Sequence, residues 1–512
     1  MGRKERLKQA FLREYGKMPQ GRLWERGRTE IYWKELEREI PAEDLVDTVT
    51  WNDLEMDQIF ERINHCQSFA GEQVLYASLH ILEPAEKLQQ LEEKIAYFQE
   101  NPESYAEVLY HLRNIGRETS DYHLPMFFQN LDAFAIRNLW FYRMLQAILV
   151  FSAGISVAVQ NGIYFLLVFA FNVLVYSMKK MEYEIHLNLL AGLVKLIKEG
   201  KKIGEGPYGE AFPEIRSLAK EFAVLSRKIE RVSGRKLATA TGDFQAMMQD
   251  YVLGATFLDF LLFQKIMRLL KGKNREIMEF YALIGETDMA ASLASFRKSL
   301  PLWCKPTIIS DTTVRFEEMY HPLVASPVCN SFQMEKSFLL TGSNASGKST
   351  FLKAAALNLI LAQTVHTCMA ASAQIPPSQV MTSMAVRDAL SEGESYYIRE
   401  IRYLKRMFDR IGETRFAFLV IDEILRGTNT RERIQASEAI LRFLSENNCL
   451  VLAATHDVEL TESLDGPYQN MHFEETFREG DIVFPYRLME GPSASSNAIL
   501  LLKAMGFPNI FD

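Results

Sequence analysis

Before Pro301, apolar residues recur mostly at spacings of three and four. The stretch VLSRKIERVSGRKLATATGDFQAMMQDYVLGATFLDFLLFQKIMRLL, from Val224 to Leu270, shows the pattern best and predicts amphipathic helices. From Thr307 the texture changes. Short apolar runs such as SFLL, FAFLVI and CLVLAAT alternate with helical segments, which predicts an α/β domain around a largely buried sheet. The chain therefore divides into a mostly α-helical N-terminal half and an α/β C-terminal domain.

One stretch departs from this alternation. Between Met144 and Met178 there is no Asp, Glu, Lys, Arg or His, while Arg137 and Arg143 precede the stretch and Lys179 and Lys180 follow it. As a single helix it would be about 50 Å long, but Gln160, Asn161 and Gly162 supply a turn signal at its middle. An apolar hairpin over about residues 139–178 is expected. Two readings of it are open. It spans a membrane with both cationic flanks on the cytoplasmic side, or it is a helix pair buried in a soluble core, each arm being near the lower limit for spanning. Downstream, KEGKKIGEGPYGEAFPE is dense in Gly and Pro and predicts a loop or hinge.

Length and charge narrow the picture. A chain of 512 residues is too long for one core. The expected division is a basic helical segment over 1–50, a helical domain over 51–300 and the α/β domain over 301–512. A net charge of -8 gives no global basic footprint, so nucleic acid would need a local cationic surface. Candidates are RLKQAFLREYGK, LSRKIERVSGRK and MRLLKGKNR, each of which also reads as a solvated helix face. Cys66, Cys304, Cys329, Cys368 and Cys449 form no CxxC pair, which fits reduced, buried thiols in the cytoplasm rather than a zinc site or disulfide frame. The basic N-terminus lacks the apolar stretch of an export signal, and Arg6 stands where a myristoylation motif wants Ser or Thr.

The chemistry concentrates in the C-terminal domain. Gly342-Ser343-Asn344-Ala345-Ser346-Gly347-Lys348-Ser349, followed by Thr350, matches the phosphate-binding loop G-x-x-x-x-G-K-[ST]. It follows a strand-like run and opens a helix-like one, the context the motif requires. Its amides and helix N-terminus suit phosphate oxygens, Lys348 suits the β and γ phosphates of ATP, and the Ser349 hydroxyl suits Mg²⁺. The strand Phe416–Ile421 ends in Asp422-Glu423. Asp422 is the expected metal partner and Glu423 the expected general base for the attacking water. A further strand ends in Thr455-His456-Asp457, which makes His456 a γ-phosphate sensor at the same sheet edge.

With these residues placed, the chain resembles the MutS family of DNA mismatch repair ATPases, within the wider ABC-type class. TGSNASGKST is similar to the family's TGPNMGGKST, DEILRGTNT to its DEIGRGTST and ATHDVEL to its ATH segment. MYHPLV is similar to the segment beside the adenine, which implies base contacts from Tyr320 and His321. LSEGESYYIREI resembles the signature region, which implies that Ser395 reaches the γ-phosphate held by the opposite subunit, so that two chains complete each site. INHCQSFAGEQVLYASLHIL, with Gly71, and IGETDMAASLASF resemble the helical core domain that precedes the ATPase domain, with the intervening helices as lever and clamp.

The departures are the apolar hairpin, Leu425 in place of a motif glycine, no stretch resembling a mismatch-reading domain, and no further helical segment beyond Asp512. The resemblance implies an Mg-dependent ATPase that works as a homodimer clamped on DNA. The alternative is a membrane-anchored ABC-type ATPase that acts on a protein or on the bilayer without DNA.

Overall fold

The computed structural model describes residues 2–19, 24–134, 136, 138–237, 254–343, 346–384, 396–411, 415–425, 428–478 and 481–493. Its N-terminal half is helical. The longer helices are α1 (Arg3–Glu14), α2 (Arg26–Leu36), α3 (Phe69–Ser78), α4 (Ala85–Glu100), α5 (Pro102–Ile115), α6 (Leu139–Ala158), α7 (Ile163–Glu205), α8 (Pro213–Leu237), α9 (Leu258–Leu270) and α10 (Asn274–Ser299). Two of them organise the rest. Helix α3 is buried on nearly every side and lies along α10, which is buried from Phe280 almost to its end.

Their close approach explains a glycine. A Cβ on Gly71 would come within 2.3 Å of the Asp288 carboxylate. That carboxylate accepts hydrogen bonds from the amides of Gln67 and Ser68 and from Ser68 Oγ, fixing the N-terminus of α3. Burial pushes the Asp288 carboxyl up to about 6, against those hydrogen bonds.

The apolar hairpin forms as the sequence predicts, with α6 and the first part of α7 as its arms and a turn through Gln160, Asn161 and Gly162. The second arm is longer than expected, because α7 continues without interruption to Glu205. The loop expected over KEGKKIGEGPYGEAFPE is therefore corrected. Most of it is helix, broken only at Gly206 and Phe212. Gly200 and Gly204 serve packing rather than turning. A Cβ on Gly200 would collide with Phe280 and Ile284, and one on Gly204 with the backbone of Arg216.

The C-terminal domain holds β1 (Thr307–Ile308), β2 (Val314–Met319), β3 (Asn330–Met334), β4 (Ser337–Thr341), α11 (Lys348–Thr364), β5 (Ser372–Ile375), β6 (Ser378–Ser383), α12 (Tyr396–Arg410), β7 (Phe416–Asp422), α13 (Thr430–Ser445), β8 (Cys449–Ala454), β9 (Tyr468–Phe473), β10 (Thr476–Arg478), β11 (Asp481–Val483) and β12 (Leu488–Glu490). The main sheet has the order β12-β9-β4-β8-β7-β6, all parallel except the edge strand β12.

Every residue of β4, β6 and β8 is buried because both faces of the sheet are covered. Phe338 and Leu340 join the core shared with α11 and the helical half, and Leu339 joins a second core with Leu404 of α12 and Leu441 of α13. A smaller sheet, β1-β5-β2-β3, lies beside it.

The two halves share one continuous apolar core, which runs from Phe11 and Trp33 to Phe351 and Phe473. Polar contacts reinforce the junction. Asp53 accepts from Thr382 Oγ1 at 2.7 Å and from the Met384 amide at 3.0 Å, Arg406 pairs with Asp47 at 2.7 Å, and Lys353 pairs with Glu55 at 2.8 Å.

Candidate nucleotide site

Parallel pairing sets the carboxyl ends of β4, β8 and β7 side by side, with Leu340 and Asp422 both in register with Ala454. In such sheets ligands bind beyond that edge. From β4 the chain turns through Gly342 and Gly347 into α11. Gly342 has φ 135° and Gly347 has φ 100°, conformations that side chains rarely adopt. A Cβ would also meet the Phe473 carbonyl at 2.7 Å at the first position and the Tyr486 ring at 2.9 Å at the second.

Within this loop the Lys348 ammonium donates to the carbonyls of Gly342 and Ser343, and Ser346 Oγ donates to Ser343 O at 2.7 Å. Lys348 is 2% exposed, so its charge is held at the mouth of the loop rather than in bulk water. Ser343 Oγ is buried with no hydrogen-bond partner among the described residues. A buried donor left unpaired is costly, and a phosphate oxygen would satisfy it. Thr350 continues the first turn of α11 and lines the adjoining cavity. Asn344 and Ala345 lie outside the described residues.

Ser349 and Asp422 meet directly, with Ser349 Oγ donating to Asp422 Oδ2 at 2.6 Å. A hydroxyl and a carboxylate in contact at the phosphate end of the loop fit a hard, oxygen-loving cation such as Mg²⁺. Glu423 follows in a left-handed backbone conformation, φ 62°, with its amide bonded to the Ala454 carbonyl at 3.0 Å. Its Oε1 lies 2.7 Å from Nε2 of His456. The residue after His456, Asp457, is gripped by the guanidinium of Arg433 near the start of α13, with Nε to Oδ2 at 2.9 Å. The structure thus brings together Lys348, Ser349, Asp422, Glu423 and His456.

A cavity of about 420 Å³ adjoins the loop, lined in part by Tyr320, His321, Pro327, Asn330, Phe473 and Tyr486. Its walls are mainly apolar, as a planar base requires. His321 faces it in uncharged form. Burial, with Lys353 nearby, lowers its pKa to about 4, and its Nδ1 accepts from the Leu323 amide at 3.3 Å. Tyr320 is turned inward. Its hydroxyl donates to the Leu302 carbonyl at 2.6 Å, and burial raises its pKa to about 12.

Phe473, Tyr486 and Asn330 were not singled out in the sequence. Asn330 holds the Tyr486 segment through bonds to Tyr486 O and from the Leu488 amide, so the wall is built from three separate returns of the chain. A larger cavity of about 870 Å³, between the helical half and the sheet, contains none of these residues. Ser395 lies outside the described residues.

Comparison with known proteins adds a likeness over the same domain. Residues 338–511 match the family model of MutS domain V. The chain is similar to proteins named DNA mismatch repair protein MutS from Shouchella clausii, 27% identical over 49% of this chain and 30% of the relative, and from Desulfovibrio desulfuricans, 29% identical over 49% and 28%. The corresponding protein of Listeria monocytogenes is 28% identical over 49% of this chain and 30% of its own length. The chain thus spans about 30% of the length of the curated relatives it matches. The chain is thus similar to the MutS family, whose domain V model matches residues 338–511.

Proposed function

We propose that the chain is an Mg-dependent ATPase of ABC type that acts on DNA as a homodimer. Support comes first from five side chains with complementary roles at adjoining strand ends: Lys348, Ser349, Asp422, Glu423 and His456. Lys348 and the amides at the start of α11 bind the phosphates, and the Ser343 hydroxyl has a free bond to give them. The cavity beside Gly347 takes the base. Ser349 and Asp422 hold Mg²⁺, which when bound neutralises charge on the phosphate oxygens.

Glu423 accepts a proton from the attacking water as that water approaches the γ-phosphate. His456, bonded through Nε2 to the same carboxylate, holds it in position and stands as the proposed sensor beside the γ-phosphate. By the family resemblance, Ser395 of a second copy reaches the γ-phosphate from the other side, so that ATP draws two ATPase domains together.

DNA as the target follows from the relatives, which are named as DNA mismatch repair proteins. Contact would be with phosphates. In α1, Lys4 and Lys8 are engaged by Glu107, whereas Arg268 and Arg275, on either side of the turn after α9, are exposed. Purified chain should turn over ATP only with Mg²⁺, lose turnover in Lys348→Ala, and turn over faster with duplex DNA. DNA binding should weaken steeply with salt. ATPase activity without any DNA affinity at low ionic strength would remove DNA from the proposal and leave the nucleotide chemistry intact.

A further inference from the structure

Past Leu149 the arms of the hairpin leave the core. From Val150 to Ala170 the sole buried residue is Ser152. Val150 is 74% exposed, Phe151 72%, Val157 78% and Leu167 65%. Such a cluster is far outside what single surface apolar residues amount to.

The geometry distinguishes what could cover it. At 3.6 residues per turn, exposed Ile148, Val150, Phe151, Ile155 and Val157 fan over about 180° of α6, nearly twice the stripe by which a helix packs on one neighbour. A second protein surface would cover one side and leave the rest in water. Hydrocarbon covers all of it.

Three further observations point to lipid. The polar groups of the arms turn inward: Ser152 Oγ donates to Leu149 O at 2.8 Å, Ser156 Oγ accepts from the Phe165 amide at 3.0 Å, and Asn172 Nδ2 donates to Ala255 O at 2.9 Å. Gln146 donates to Thr256 O, so the carbonyls at the break before α9 are sealed where the hairpin meets the core. Helix α6, at 20 residues, is about 30 Å long, the thickness of a hydrocarbon layer. Finally, the charges gather at one end. Arg143 and Lys179, both exposed, stand at the base of the two arms with exposed Trp140, where headgroups would lie, while the opposite end carries only the uncharged Gln160, Asn161 and Gly162.

We propose that the hairpin of Leu139–Ala158 and Ile163–Lys179 inserts into a lipid bilayer from one side, tethering the ATPase with its nucleotide site on the side from which the hairpin enters. The inference does not depend on the target of the ATPase.

The test uses the full chain and vesicles of phosphatidylcholine and phosphatidylglycerol, with an environment-sensitive fluorophore on Phe151→Cys. Expected are flotation with the vesicles that survives high salt, and quenching of the probe by brominated acyl chains. The triple variant Val150→Glu, Phe151→Glu, Leu167→Glu should float at least tenfold less while still binding ATP, which shows that it folds. Three outcomes would overturn the proposal: a chain that stays at the bottom of the gradient, a Phe151 probe that bromine does not reach, or a detergent-free dimer in which that probe is shielded by the second copy.

Discussion

Glu423 sits where its backbone is least comfortable. A non-glycine residue at φ 62° gives up on the order of 1–3 kcal/mol, and the amide bond to Ala454 and the contact with His456 hold it there. Strand β7 ends one residue earlier, at Asp422, and the Glu423 carboxylate meets His456 beyond the end of that strand. Glu423→Gln keeps the shape and removes the basicity. It should bind ATP with little change in affinity and turn over roughly 10²–10⁴-fold more slowly, as measured by steady-state phosphate release beside equilibrium nucleotide binding. Turnover near that of the parent would sink the assignment of Glu423 as base.

The residues of this site were unequally legible in the sequence. Lys348, Ser349, Asp422 and Glu423 lie in short motifs whose spacing carries their chemistry, and His456 follows an obvious strand. Tyr486, Phe473 and Asn330 reach the same cavity by tertiary folding alone, with no local pattern to announce them.

At the scale of elements, one buried network ties the halves together. Glu92 of α4 receives Arg297 of α10 through two bonds, at 3.0 and 2.7 Å, His366 just after α11 at 3.1 Å, and Lys305 of the connector at 3.0 Å. Arg297 is 0% exposed and also donates to Thr367 Oγ1 and His366 O. Burial alone would raise the Glu92 carboxyl, but the bonds from His366 and Arg297 outweigh it and hold the pKa at about 2.

A carboxyl lowered on folding contributes stability at pH values above its unfolded pKa, roughly 4.3, and that contribution is lost as pH falls toward 2. Arg297→Ala would leave Glu92 buried beside weaker partners and should cost about 3–5 kcal/mol at pH 7. The difference from the parent should shrink at pH 3 as Glu92 takes up a proton in the variant. Denaturant titrations at the two pH values measure both effects, and an equal loss at each would show that packing rather than charge is responsible.

The same scale shows why elements were read unevenly. The hairpin arms are legible because a charge-free run of that length has few alternatives. The end of α7 was misread because Gly200 and Gly204, which look like turn residues, are there to admit Phe280, Ile284 and the backbone of Arg216.

For the whole molecule, the consequence is that the C-terminal domain cannot move alone. Its sheet shares a core with the helical half, and Asp53, Asp47 and Glu55 grip Thr382, Arg406 and Lys353. On the proposed function, motion produced at a bound nucleotide would therefore be passed on to the helices. The place where such motion could begin is the open side of the site, where His456 keeps 38% of its side chain exposed and Glu423 keeps 18%. If Glu423 is the base proposed above, its partial exposure makes it a poor place to exclude bulk water from the γ-phosphate, and a second copy would close it.

Glu423→Gln, which traps ATP, should therefore be dimeric in Mg-ATP and monomeric in Mg-ADP when followed by light scattering in a mild detergent. Adding Ser395→Ala should return the ATP form toward monomer by removing the contact made across the interface. The detergent matters, because hairpins that associate through their apolar faces would give dimers with either nucleotide. An ATP-bound variant that stays monomeric, or a dimer indifferent to both nucleotide and Ser395, would mean that each chain completes its own site.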